Sequence, residues 1–208
     1  DVLHLGFSSG LSGTYNSMRI AGEELKEEYP EAKIIIIDTL CACLGEGLLL
    51  YKALQQKASG KTIEETAKWV EENKLHICHN VTVADLFHLH RGGRVSKLSA
   101  IVGTMAGIKP MLHVDDEGHL ILLSKVRGRK KALAELVRMM DERIGSWKDK
   151  NQTIFISHGD CEKDAQMVAD LVREKYGIED IHIHPVGATI GAHAGPGTVA
   201  LFFLGDKR

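Results

Sequence analysis

Several features that would identify the class of protein directly are scarce in this chain of 208 residues. It has four cysteines, four prolines and 5% aromatic residues, and its 26 basic and 28 acidic residues nearly cancel. Four scattered cysteines do not suggest a disulfide framework, and the balanced charge argues against nucleic-acid binding. There is no run of 18 apolar residues and no signal peptide. We therefore expect a soluble, cytoplasmic protein without an integral membrane segment.

Two stretches rich in glycine and hydroxyl residues stand out near the ends of the chain. The serine loop, residues 7–14, follows an apolar run and contains Ser8-Ser-Gly-Leu-Ser-Gly-Thr14. The histidine loop, residues 187–198, lies between two apolar runs and carries His193 between glycines. Such loops expose backbone N–H groups and hydroxyls, so both stretches are suited to holding an anionic group.

The pattern of apolar runs predicts an α/β fold with two domains. Residues 2–7 and 33–37 are predicted strands that alternate with helices at 15–29 and 44–57. This βαβα order is typical of a doubly wound layer, whose ligand site lies at the carboxyl ends of its parallel strands. The continuous β-branched run at 33–37 further predicts a strand buried on both faces. We assign residues 1–72 to this partial parallel-sheet domain.

Residues 73–208 are predicted to form an α+β domain around a mixed sheet. A hairpin is expected over residues 108–125 because two apolar runs flank Asp115-Asp-Glu-Gly118. Helices are predicted over residues 94–107 and, with a clear amphipathic stripe, over residues 129–147. Strands are also predicted at 153–158, 181–186 and 198–204, with another helix between the first two of them.

Each chemical candidate also has a plainer interpretation. Helix capping needs only one hydroxyl, so the four in the serine loop favour an anion cradle. His193 is either a donor or proton shuttle at a site, or an ordinary loop histidine. Arg94 ends Arg91-Gly-Gly-Arg94, whose glycines permit close backbone approach, and Arg127 belongs to a basic cluster at 125–131. Both arginines are candidate contacts for a phosphate or a partner, although a solvated charged face explains the second cluster as well.

The sequence favours neither a metal site nor a catalytic centre. The closely spaced histidines and cysteines lack the spacings typical of zinc sites. His182 and His184 alternate along a predicted strand, which polar-out patterning explains. No complete catalytic triad is visible, so no catalytic residue is assigned.

Five motifs in a fixed order resemble the DegV family of bacterial fatty-acid-binding proteins across essentially the whole chain. They are Ser8-Ser-Gly-Leu-Ser-Gly-Thr-Tyr15, Asp38-Thr-Leu-Cys-Ala-Cys-Leu-Gly-Glu-Gly47, Leu89-His-Arg-Gly-Gly-Arg94, Ile108-Lys-Pro-Met111 and Gly191-Ala-His-Ala-Gly-Pro-Gly-Thr198. The resemblance implies two α/β domains with a long-chain fatty acid between them and no cofactor. In some members a separate fatty acid kinase subunit phosphorylates the carboxylate to an acyl phosphate.

Carried over by position, the resemblance implies that Ser8, Ser9, Ser12 and His193 bind the carboxylate. It also implies that Arg94 faces the kinase or the transferred phosphate. Two departures are visible: family members begin with a segment that is absent here, so we expect an N-terminally truncated chain, and Cys43 replaces a usual serine. The alternatives to a carrier are an enzyme that acts on a small phosphorylated or carboxylated metabolite with His193 as acid–base, and a purely structural domain.

Overall fold

The computed structural model describes residues 1–95 and 107–208. The first part of the chain contains β1 (Val2–Gly6), α1 (Thr14–Glu28), β2 (Ile34–Asp38), α2 (Leu44–Ala58) and α3 (Ile63–Asn73). β1 and β2 pair in parallel, from Val2 opposite Ile34 to Gly6 opposite Asp38. The predicted βαβα order is therefore confirmed, and the carboxyl ends of both strands lie side by side.

The second part of the chain is built on a mixed sheet, as predicted. Its strands are β3 (Ile77–Thr82), β4 (Ile108–Val114), β5 (Leu120–Arg127), β6 (Thr153–His158), β7 (Asp180–Pro185) and β8 (Val199–Leu204). The spatial order is β5-β4-β3-β8-β6-β7, with β6 and β7 parallel and the other neighbours antiparallel. The helices are α4 (Phe87–Arg91), α5 (Arg129–Ile144), α6 (Glu162–Tyr176) and α7 (Ala188–Ala194).

Two expectations about local structure were wrong. Ile34, Ile35 and Ile36 in β2 are only half-buried, because β1 is the only strand that pairs with β2 among the described residues. The histidine loop is not irregular throughout, since residues 188–194 form α7. This segment contains three alanines, which favour helix, and Gly195 ends it with a φ of 78°. The helix predicted over residues 94–107 lies largely outside the described residues.

Two apolar cores lie on opposite faces of the mixed sheet. One face packs against α5 and α6, with Leu136 and Phe203 among its fully buried side chains. The other face packs against the first part of the chain, where Leu48 and Val70 belong to the same buried cluster as Phe202. The predicted boundary between residues 72 and 73 falls between α3 and β3, but this second core draws on both sides of it. The division into domains therefore stays a prediction.

Candidate functional site

A cavity of about 340 Å³ lies on the face of the mixed sheet that points toward the first part of the chain. Its lining includes every second residue of two neighbouring strands, namely His79 and Val81 on β3 and Ala200 and Phe202 on β8. Thr198, just before β8, also lines it. The four-residue interval from Thr198 to Phe202 spans roughly 13 Å of extended chain, so the cavity is elongated along the sheet.

Most of the remaining cavity wall is apolar. The side chains that close it come from the serine loop, the segment before α4, α4 itself, the hairpin, the loop after β7 and α7. They include Phe7, Leu11, Val83, Leu89, Val114, Leu120, Val186, Ile190 and Ala194. A wall of this composition is suited to a hydrocarbon rather than to a polar metabolite.

The serine loop lies beside the loop that follows β2, and Asp38 joins the two. The Asp38 carboxylate accepts hydrogen bonds from the backbone N–H groups of Ser9, at 3.2 Å, and Leu40, at 3.1 Å. The Ser8 N–H also donates to the Cys41 carbonyl over 2.9 Å. The parallel pairing of β1 and β2 thus brings both predicted polar loops to one edge of the cavity.

The three predicted serines occupy different environments. Ser12 lines the cavity, and its Oγ lies 2.7 Å from Oγ1 of Thr14, which also lines it. Ser8 is fully buried, and its hydroxyl donates to the Gly118 carbonyl over 2.8 Å. Ser9 is exposed. Neither Ser8 nor Ser9 belongs to the cavity lining, so the structure brings only Ser12 of the three to the cavity surface.

His193 lines the cavity from α7 and packs on the backbone of Gly92. A Cβ placed on Gly92 would lie only 2.1 Å from His193 Nδ1. A Cβ on Gly195 would likewise lie 2.5 Å from Cδ2 of His88 in α4. The glycines therefore let two imidazole rings pack closely between α4 and α7, which fixes His193 against the Arg91-Gly-Gly-Arg94 motif.

The two predicted arginines lie in different places. Arg94 lines the cavity, and its guanidinium donates to the carbonyls of Leu11, at 3.0 Å, and Gly92. Arg94 therefore joins the serine loop to the segment that supports His193. Arg127 is exposed at the end of β5, seven residues or roughly 23 Å along the strand from cavity-lining Leu120. The structure does not bring Arg127 to the cavity.

His79 is a further polar residue of the cavity wall, and its role there was not predicted. His79 is fully buried, accepts a hydrogen bond from the Ala42 N–H at Nε2 and donates from Nδ1 to the Ile77 carbonyl, each over 3.0 Å. Burial, with a smaller contribution from Arg208, holds the pKa of His79 well below its usual value, so the ring stays neutral. His79 is one of the closely spaced histidines that the sequence analysis considered only as metal ligands, although its spacing of two from Val81 places both residues on one strand face.

Cys43, where the family resemblance implies serine, also lines the cavity. Its thiol donates to Ser157 Oγ over 3.3 Å, and burial raises the pKa of the thiol. The Cys43 thiol is therefore protonated at neutral pH. Its φ of 51° is unusual for a residue with a side chain, and the turn that requires it aims Cys43 from the loop after β2 into the cavity.

The described residues contain neither a candidate metal site nor a candidate membrane-spanning helix. Within residues 1–95 and 107–208 no group of three or more His, Cys, Asp or Glu side chains is placed to hold a metal ion. No helix in the same part of the chain is long and apolar enough to cross a membrane.

The fold and the cavity define a class of α/β protein in which an elongated apolar chamber lies between a parallel strand pair and a mixed sheet, with polar groups from both parts at its edge. The chain belongs to the DegV family: residues 1–206 match the family described as "Uncharacterised protein, DegV family". A DegV domain-containing protein of Clostridium perfringens is 53% identical over 207 residues, which are 100% of this chain and 70% of the relative.

Solved structures show the same fold. A DegV family protein from Eubacterium eligens, loaded with heptadecanoic acid, is 26% identical with a TM-score of 0.90 and is matched over 98% of this chain and 72% of its own. The fatty acid kinase B3 protein of Streptococcus pneumoniae, loaded with linoleic acid, is 25% identical with a TM-score of 0.88, over 98% of this chain and 71% of its own. The predicted family and fold class are thus confirmed.

Proposed function

We propose that this chain binds a long-chain fatty acid in the cavity, with the acyl tail along β3 and β8 and the carboxylate near Ser12 and His193. The observation that carries the proposal is the composition of the cavity wall, which is largely apolar along the sheet and has linked polar groups where the serine loop meets α7. A fatty acid has the same division between tail and head group. The acids held by the two solved relatives support the proposal.

The tail supplies most of the affinity. Burial of one methylene group contributes roughly 0.8 kcal/mol, so a sixteen-carbon tail gives on the order of 10 kcal/mol before ordering costs. A hydrogen bond to a charged carboxylate contributes only about 1.5–3 kcal/mol. The polar end therefore decides between an acid and an uncharged lipid of the same length, and it sets the orientation of the head group.

Four groups at this end are suited to a carboxylate. Ser12 and Thr14 present hydroxyls, His193 presents an imidazole, and Arg94 supplies the positive charge. The contacts of Arg94 with Leu11 and Gly92 link the serine loop with the segment that holds His193, so these groups belong to one site. Ser9 is exposed and Ser8 is buried beneath the loop, so our proposal includes no direct contact between either serine and the carboxylate.

We further propose that the bound acid is presented to a separate kinase subunit. The kinase transfers the terminal phosphoryl group of ATP to a carboxylate oxygen, which yields an acyl phosphate and ADP. The name of the Streptococcus relative supports this assignment.

The test is to extract the purified protein with organic solvent and identify the lipids by mass spectrometry. We expect one bound fatty acid per chain, and we expect Ala200→Leu, which projects a larger side chain into the cavity, to reduce long-chain acids in the extract. A lipid-free protein that hydrolyses phosphate esters would overturn the proposal in favour of an enzyme with His193 as acid–base.

For the kinase step, the protein loaded with acid should yield acyl phosphate only when a kinase subunit and ATP are added.

A further inference from the structure

We infer that Ser8 is a positioning residue for the head-group site, held by the turn of the β4–β5 hairpin, and not a ligand of the carboxylate. This inference rests on the proposed function. It gives a role in that function to the hairpin turn, residues 115–118, which contains none of the site residues described above.

The hydrogen bonds of Ser8 leave no donor for a ligand. A serine hydroxyl carries one proton, and Ser8 donates it to the carbonyl of Gly118 over 2.8 Å. The same oxygen accepts from the Gly10 N–H over 3.2 Å. Ser8 is fully buried, so a carboxylate could receive this proton only if a buried carbonyl lost its partner, which is costly.

Two glycines permit this contact between distant parts of the chain. A Cβ on Gly10 would lie 2.8 Å from the Glu117 carbonyl oxygen and 2.9 Å from the carbonyl of Gly118. A Cβ on Gly118, whose φ is 81°, would lie 2.1 Å from Ser8 Oγ and 3.2 Å from Leu40. The serine loop and the hairpin turn therefore touch backbone to backbone, which leaves little freedom for the loop to shift.

The turn itself is firmly held. The Asp115 carboxylate accepts a hydrogen bond from the His119 N–H over 2.7 Å, and the Gly118 N–H donates to the Asp115 carbonyl over 3.0 Å. Val114, the last residue of β4, and Leu120, the first residue of β5, line the cavity. One hairpin thus forms part of the wall for the tail and also fixes the loop that carries Ser12, so the head-group hydroxyl keeps a set position relative to the tail channel.

The experiment compares the affinity for palmitate with that for hexadecanol, because their ratio reports the head-group site separately from the tail. We expect Ser8→Ala and Gly118→Ala each to reduce the preference for the acid about tenfold while the affinity for the alcohol stays near that of the unsubstituted protein. Gly60→Ala is the matched control, since Gly60 has a similar φ of 87° but no atom of residues 1–95 or 107–208 within 4 Å of its Cβ position. It should carry the backbone strain and leave the ratio unchanged.

A double-mutant cycle separates positioning from direct contact. If Ser8 acts through Ser12, Ser8→Ala should change the ratio little in a Ser12→Ala background. Additive losses would overturn the inference and restore Ser8 as a ligand, and equal losses for acid and alcohol in both variants would reduce Ser8 to a structural role.

Amide hydrogen exchange supplies a readout that needs no ligand. Exchange at residues 9–12 should accelerate in Ser8→Ala and Gly118→Ala but not in Gly60→Ala. Unchanged exchange in the first two variants would refute the claim that the hairpin turn holds the serine loop in place. Failure of the unsubstituted protein to bind palmitate would instead refute the proposed function, while the exchange measurement would still decide whether the hairpin holds the loop.

Discussion

Replacement of Gly92 by alanine should displace the His193 ring without straining the backbone. Gly92 has φ −76° and ψ −4°, which alanine adopts readily. The added Cβ, however, would lie 2.1 Å from Nδ1 and 3.0 Å from Cε1 of His193. Because nonbonded heavy atoms prefer about 3.5–4.0 Å, the ring has to move by roughly 1.5 Å.

A shift of this size removes a hydrogen bond. An N–H···O contact near 2.9 Å would lengthen to about 4.4 Å, far beyond hydrogen-bonding distance. The loss of one bond to a charged carboxylate costs about 1.5–3 kcal/mol, which corresponds to roughly 10- to 150-fold weaker binding of the acid. Binding of the matching alcohol should change much less, because the tail contacts remain.

The assay is displacement of a fluorescent fatty-acid analogue by palmitate and by hexadecanol. Gly187→Ala is the matched control: Gly187 lies at the start of α7, has φ −65°, and has no atom of the described residues within 4 Å of its Cβ position. Equal affinity of Gly92→Ala and Gly187→Ala for palmitate would show that His193 does not contact the carboxylate.

Three further changes test the tail channel, a half-buried carboxyl and a helix start. Ala200→Leu should displace about three methylene groups of a long tail and weaken palmitate binding by roughly 2.4 kcal/mol, or about 60-fold, with little effect on octanoate in calorimetry; equal effects on both acids would contradict the assigned tail path. Burial raises the pKa of Glu46 from 4.5 to about 7. Since the folded protein then holds a proton that the unfolded chain releases, Glu46 should reduce stability as pH rises from about 4.5 to 7. Glu46→Gln should therefore raise Tm at pH 8 but not at pH 4.5, and an equal change in Tm at both values would contradict this. Thr62→Ala breaks the observed capping box with Glu65 and should lower the free energy of unfolding by about 1 kcal/mol in urea, without changing palmitate affinity.

The parts of the fold that were predictable depend on local chemistry. Asp115-Asp-Glu-Gly118 forms the turn of the β4–β5 hairpin as expected, and the Thr62–Glu65 capping box that begins α3 is likewise a local pattern of the sequence. The parallel pairing of β1 and β2 also brought the two polar loops together. Each of these features depends on residues close in sequence or on a general rule of sheet topology, so one sequence is enough to predict it.

The parts that could not be predicted depend on contacts between distant residues. Ser8 and Gly118 are separated by 110 positions, and no local pattern reveals that the hydroxyl of one serine is committed to a carbonyl so far away. The Gly92–His193 contact was unpredictable for the same reason. The Arg91-Gly-Gly-Arg94 motif indicated that another group could approach the backbone closely, but it did not indicate which group does so. The role of His79 was missed because a lone buried histidine has no sequence signature that separates a neutral wall residue from a ligand.

The charge at the polar end of the cavity points to an anion rather than to a merely polar group. Arg94 donates to two neutral carbonyls, and no carboxylate in residues 1–95 and 107–208 forms an ion pair with it. The Asp38 carboxylate, the acid closest to the serine loop in the hydrogen-bond network, is engaged by backbone N–H groups. A half-buried guanidinium without a paired carboxylate favours a negative group nearby, because its charge is only partly solvated. The neutral His79 ring and the protonated Cys43 thiol add no charge along the channel, so the field of Arg94 distinguishes the polar end from the rest of the cavity.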